Sequence, residues 1–462
     1  LTPPSPIDCK LLWSGLDIPV LCGYFSSSAE SCSGVARDWL AGGGSVVDAG
    51  IAAVLCLAVV HPHAVSLGGT FASIYLTRRS QNASVVNAIP SQASPIAYGI
   101  PSLLQGLWSL HQNHGRSLWP ELFSPAIYLA KQGFVVDSSL HAALEKNQKK
   151  IKSSESLQGL FYHQNILKRA GASVSNVQLG NVLEIAQTMR GSALPDLLVQ
   201  QLLGDLEVTD REQLREALSG MHLKSENPFQ LHLDGMTLYS SSAPTMGRIL
   251  ASSVQEMSQK LRNPYSAPIS DLLINVSKTM YSMAGVKPSD FTTDRSAGAQ
   301  IQWDLAPVGS NVLVADSDGN VLVVSLTLNS TFGSGFVSPS TGILLSDFVQ
   351  GAASTPSATF SFWACPTVVL FGSDNDAMGL AARGGSSLPF SLAHVLLRHV
   401  LLKMDLTESI NGTLTDLLPA DSDPWLKYFG LQGVVPAMAI EVASEHVHVA
   451  TSQSCSCHPA GL

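Results

Sequence analysis

His446 and His448 alternate along a β-prone run and so share a face, and Cys455-Ser456-Cys457-His458 follows close behind. Imidazole and thiolate are the ligands that zinc prefers. Their spacing matches no structural-zinc pattern, so the expectation is a solvated strand and a disulfide-bonded tail, with no metal and no cofactor. Asp48 heads the apolar run Ile51–Val60. A buried carboxylate needs hydrogen-bond partners, so Asp48 is expected to be a cap or network residue rather than a catalyst. Gly384-Gly385, taken by itself, is the loop before a helix. Seven cysteines (Cys9, Cys22, Cys32, Cys56, Cys365, Cys455, Cys457) leave at least one unpaired within the chain, and Cys56 looks like a core residue. Sequons begin at Asn82, Asn275, Asn329 and Asn411, which in a secreted chain are glycan acceptors. An oxidising compartment is the expectation.

The elements that must position these groups follow from periodicity. Residues 1–32 are rich in turn formers. Gly42-Gly43-Gly44, then Ser45 and Asp48, predict a capped helix running through Val60. Thr70–Thr77 and Ala83–Ile89 predict a hairpin across the polar Arg78–Asn82. From Leu103 to about Gln259 apolar residues recur at helical spacing, which predicts a mostly helical layer. Residues 312–328 are two β-rich runs around Asp318-Gly319, the strongest hairpin signal in the chain. A second hairpin is expected at Ala437–Ala450, and a helix at Leu388–Met404. Strands, helices, strands, helices and strands imply a layered α/β or α+β body.

Composition narrows the function classes. Hydrophobic residues make up 45% and charged residues 13% of the 462, the balance of a folded chain with a large core. Net charge is −9 with no long Lys/Arg cluster, so the electrostatic footprint of nucleic-acid binding is missing. The run Ile51–Val60 is about half of a membrane span and is expected to be a buried helix. The chain begins with Leu1 rather than Met, so an anchor or signal upstream is expected, with the body on the extracellular face of a membrane or in the secretory pathway.

Gly42–Phe71, Gly99–Val136 and Asp316–Phe348 together resemble the gamma-glutamyltransferase (glutathione hydrolase) family. Weaker matches lie at Tyr239–Gly247 and Trp363–Gly385, and Trp363-Ala364-Cys365-Pro366 is most similar to the type 6 branch. The resemblance implies an αββα sandwich of N-terminal nucleophile type, with residues 1–308 as the large-subunit-like region and 309–462 as the small-subunit-like region of one body. It also implies self-cleavage to a large/small subunit pair, and glutathione or γ-glutamyl conjugates as the small-molecule substrate. In that family the new N-terminal threonine is both nucleophile and, through its α-amine, general base.

Carried over without a gap, the family threonine falls on Gly309, which has no side chain to attack with. Ser310 is the remaining local hydroxyl, but a shift of one residue along a strand turns a side chain to the opposite face. The family's substrate-binding arginine falls on the segment Asn87-Ala88-Ile89-Pro90, which holds none, and two binding serines fall on Phe362 and Trp363. What the resemblance keeps is Asn329, Asp347 as the partner of the substrate amine, and Gly384-Gly385 as oxyanion donors. Arg383 is the neighbouring substitute for the lost arginine. Two functions are therefore expected side by side: a weak γ-glutamyl hydrolase or transferase working through Ser310, or a silent relative retained as a binding or assembly module.

Overall fold

The computed structural model describes residues 23–27, 29–90, 96, 98–219, 221, 223, 225–233, 235–261, 309–348, 364–372, 376–383, 388–412, 437–443, 447–453, 455 and 457–461. Strands of its two large sheets are β1 (Gly23–Ser27), β2 (Thr70–Thr77), β3 (Asn82–Ala88), β4 (Ser225–Glu226), β5 (Phe229–Leu233), β6 (Met236–Ser240), β7 (Ser310–Asp316), β8 (Val321–Thr327), β9 (Thr367–Phe371), β10 (Asp376–Ala382), β11 (Ala437–Val442), β12 (Val447–Thr451) and β13 (His458–Gly461). The first sheet has seven strands in the order β13-β1-β7-β8-β2-β3-β4, and the second has six in the order β12-β11-β10-β9-β6-β5. The hairpin β7–β8 is central, as its apolar run on both faces predicts. Strands from both sides of residue 308 contribute to each sheet, and in the first they interleave.

Two helices, α1 (Glu30–Ala41) and α2 (Val46–Val60), lie on the outer face of the first sheet. Helix α2 is apolar all round and wholly buried, which is how such a helix must sit. Gly50 lets it approach closely, since a β-carbon there would run into Leu322 of β8. Ser45 caps the helix with Asp48 in a reciprocal capping box, as the sequence predicts. Asp48 also accepts from Arg116 N and from Ser117 N and Oγ, so it is the network residue expected of it. Cys56 is in the core but also bonded to Cys32, with the Cα atoms 5.5 Å apart, which ties α1 to α2. A second disulfide joins Cys455 and Cys457, and Cys365 is free and buried.

Between the sheets, Leu313, Ala315, Val321 and Val323 meet Val368, Leu370, Ala377 and Ala381. The second sheet's outer face packs on the helices Gly247–Leu261 and Leu388–Leu396, which completes helix, sheet, sheet, helix. The αββα sandwich is therefore the observed architecture. One expectation fails in detail. Residues 103–259 are not helical throughout, because β5 and β6 form a hairpin of the second sheet, closed by Gly235 at φ 73°. Among the described residues no helix is long and apolar enough to cross a membrane.

Candidate active site

Parity along β7 decides where each side chain goes. Val312, Val314, Val324 and Leu326 belong to the core under α2, whereas Leu313, Ala315 and Val323 face the second sheet. Ser310 pairs with Leu326 and therefore shares the α2 face, buried at 1% exposure. Gly309, on which the sequence resemblance puts the family nucleophile, opens the other face, one residue before β7. Its backbone has φ 96°, where side chains are strained, and a β-carbon would run into the Leu326 carbonyl oxygen. Position 309 thus offers no hydroxyl, and Ser310 lies behind the sheet.

Across the inter-sheet face a polar row runs in register. Asn311 pairs with Ser325, Ser325 with Ala72, and Ala72 with Asn87. Asn311 Nδ2, Ser325 Oγ and both polar atoms of the Asn87 amide are enclosed and without a hydrogen-bond partner. Ile89, Phe348 and Ala364 pack with Ala72 in this row. One step toward the strand ends, Thr327 pairs with Thr70, whose Oγ1 is also unpartnered. Thr327 Oγ1 accepts from Asn329 N at 2.9 Å.

Asn329 sits exposed on the loop after β8, in a left-handed conformation at φ 74°, and its Nδ2 reaches the Asp347 carbonyl at 3.4 Å. Asp347 holds that loop: its carboxylate accepts from Ser330 N at 3.1 Å and from Ser330 Oγ at 2.5 Å. Lys150 Nζ donates to Ser330 Oγ at 3.2 Å and to the carbonyls of Thr331 and Gly333, fastening the same loop from the helical layer. Burial lowers the Lys150 pKa, against which the Asp347 charge works. The structure thus places Asn329 and Asp347 together.

Arg383 follows β10 and continues the face of Ala377 and Ala381 toward the first sheet. It is 8% exposed, its Nε is enclosed without a partner, and burial depresses the guanidinium pKa. Its charge acts on His63, whose carbonyl accepts from Phe332 N at 3.0 Å, so Arg383 lies at the Asn329 end of the sandwich. His63 is buried with Nδ1 unpartnered, and its ring lies 4.8 Å from that of His61. His61 Nε2 in turn contacts Asp137 at 2.5 Å. Burial pushes the His63 pKa well down, the charges of His61 and Arg383 adding to it and that of Asp137 opposing. Cys365 offers no replacement nucleophile, because burial holds its thiol pKa well up.

Gly384 and Gly385 lie outside the described residues, as do Phe362, Trp363 and His446. His448 contacts Thr407 Oγ1 at 3.3 Å. Thr327, Thr70, Asn311, Ser325 and His63 are residues of this candidate site that the sequence analysis did not single out. The alternation of the 312–328 hairpin was signal enough for Asn311, Ser325 and Thr327, because it puts them on one face.

Known proteins resemble the chain as follows. The model of the gamma-glutamyltranspeptidase family matches residues 32–93, 87–292 and 254–416. Glutathione hydrolase 6 of Mus musculus is 33% identical over 93% of this chain and 76% of its own length. Glutathione hydrolase 6 of Bos taurus is 33% identical over 82% of this chain and 69% of its own. Among solved structures, cephalosporin acylase from Bacillus halodurans superposes with TM-score 0.73 over 97% of this chain and 99% of its own, at 16% identity, which speaks for the fold.

Proposed function

Since this chain belongs to the gamma-glutamyltranspeptidase family, we propose that it takes glutathione or related γ-glutamyl compounds into the Asn329 end of the sandwich and cleaves them far more slowly than its family norm. In the family reaction the γ-glutamyl amide C–N bond breaks and the amine leaves with a proton. Water then supplies the hydroxyl of the new carboxyl group, or an acceptor amine takes the acyl group. The observation that carries the reading of slow cleavage is Gly309. It has no nucleophile, its φ of 96° disfavours one, and Ser310 is turned to the α2 face.

Without a hydroxyl at the first position there is no side chain to attack the preceding carbonyl. We therefore take the 308/309 boundary as uncut and both regions as one continuous chain. The Cys32–Cys56 bond favours an oxidising compartment. Intact-mass measurement of freshly expressed protein, beside a Ser310→Ala variant, tests the maturation. A single mass in both is expected, whereas a fragment starting at Ser310 in the parent and absent from the variant overturns the reading. Turnover of a chromogenic γ-glutamyl amide tests the activity. Slow release that Ser310→Ala leaves unchanged is expected, and fast release lost in that variant refutes it.

A further inference from the structure

We infer that Arg383 is the anchor for a carboxylate of the bound ligand, so that carboxylate recognition in this chain sits at the end of β10 and not on β3. The inference names the chemistry of the site proposed above and rests on that reading only for the identity of the ligand.

A guanidinium withdrawn from water loses strong hydration, and folded proteins place such a group beside a carboxylate or a set of carbonyls. Arg383 has neither: it is more than nine-tenths buried, and among the described residues it makes no ion pair and no hydrogen bond. Its charge acts on His63, which repels it when protonated. Among the described residues no ion pair offsets this cation. A carboxylate ligand would, through the bidentate geometry that arginine favours.

The surroundings point the same way. On the facing sheet, at this end, Asn311 Nδ2, Ser325 Oγ, Thr70 Oγ1 and the Asn87 amide lack partners while enclosed. Groups of this kind rarely go unpaired in a finished core, and they suit a ligand that carries amide or amine groups beside its carboxylate. Asn87 lies on the segment where the resemblance predicts the family arginine, and an amide cannot supply that charge. The cation is supplied from the opposite sheet instead.

An anchor and a structural cation respond differently to Arg383→Met. Methionine keeps much of the side chain's length and removes an uncompensated buried charge, so the unliganded variant should melt at or above the parent's temperature. Ligand binding should fall about ten- to hundred-fold, the loss of a charge-assisted pair. Calorimetry with the whole chain uses glutathione, glutathione amidated at the γ-glutamyl α-carboxyl, and glutarate as a plain dicarboxylate. The parent should prefer glutathione over its amide by that same factor, and Arg383→Met should bind both equally weakly.

A lowered melting temperature in Arg383→Met with glutathione affinity intact overturns the anchor and leaves the γ-glutamyl reading standing. Arg383-dependent binding of glutarate with no binding of glutathione supports the anchor and refutes the γ-glutamyl reading. If the parent binds none of the three, the anchor is overturned. Arg383→Lys keeps the charge without the fork and should bind glutathione with intermediate affinity, a graded response that a purely structural arginine would not give.

Discussion

Asp48 at the head of α2 and Arg383 at the end of β10 are both charges withdrawn from water, and their surroundings are opposite. Asp48 is fully enclosed, and its carboxylate receives Ser45 N and Oγ, Arg116 N, and Ser117 N and Oγ. Arg383 is almost as deeply buried, and its Nε–H donates to no acceptor among the described residues. The same contrast divides the β7–β8 hairpin. At its turn Asp316 accepts from Asn320 N and Nδ2 at 2.9 and 2.8 Å, while at the other end Asn311 and Ser325 are unpartnered. Satisfied polar groups specify a fold, whereas enclosed unsatisfied ones cost stability and persist where a ligand completes them.

The largest effect that would break this contrast is at Asp48. Asp48→Ala removes the helix cap and leaves several enclosed donors without an acceptor, a loss of about 3–4 kcal/mol. Denaturant unfolding measures it, and a loss below about 1 kcal/mol would mean the network does not hold the fold. Next comes the tie between α1 and α2. Replacing Cys32 and Cys56 together by serine should cost about 3 kcal/mol, because the bond closes a loop with a sequence separation of 24. An unchanged midpoint under reducing and oxidising conditions would contradict it.

At the site end the expected effect is smaller and its direction is informative. Gly309→Thr puts a threonine where the resemblance expects one but forces a β-branched side chain to φ 96° against the Leu326 carbonyl. It should cost about 2 kcal/mol and give no gain in γ-glutamyl turnover. A stable variant that cuts itself and turns over substrate would show that the strand end rearranges, and would place this chain one substitution from an active enzyme.

How much of this was legible in the sequence depended on distance along the chain. The central hairpin, the β2–β3 pair and the capping box at Ser45 and Asp48 are local patterns and stand where expected. The β5–β6 hairpin was hidden among leucine-rich helices, although Phe229-Gln230-Leu231-His232-Leu233 alternates and Gly235 supplies its turn. The Cys32–Cys56 pairing was not readable, since seven cysteines permit many connectivities. At the site, the parity argument that turned Ser310 away from the pocket needed only one strand. Adding Asn87 to the row of Asn311 and Ser325 needed the register of strands far apart in sequence, which no local pattern encodes.

The smallest effect sharpens the comparison through His63, which reports the uncompensated charge. Its pKa lies well below the ordinary 6.5, with burial as the main cause, His61 and Arg383 adding to it and Asp137 opposing. Above pH 6.5 the ring is neutral in both folded and unfolded chains and folding is not penalised. As pH falls below 6.5 the unfolded chain takes up a proton that the folded chain refuses, so stability drops until the depressed folded pKa is reached. Urea unfolding at pH 7.5 and 5.5 should therefore show a loss at the lower pH that shrinks in His63→Gln. Arg383→Met should shrink it as well, though less, because it removes one of the lesser causes and leaves the burial. If Arg383→Met leaves the pH dependence unchanged, the guanidinium charge does not act on His63, and Arg383 does not occupy the Asn329 end of the sandwich.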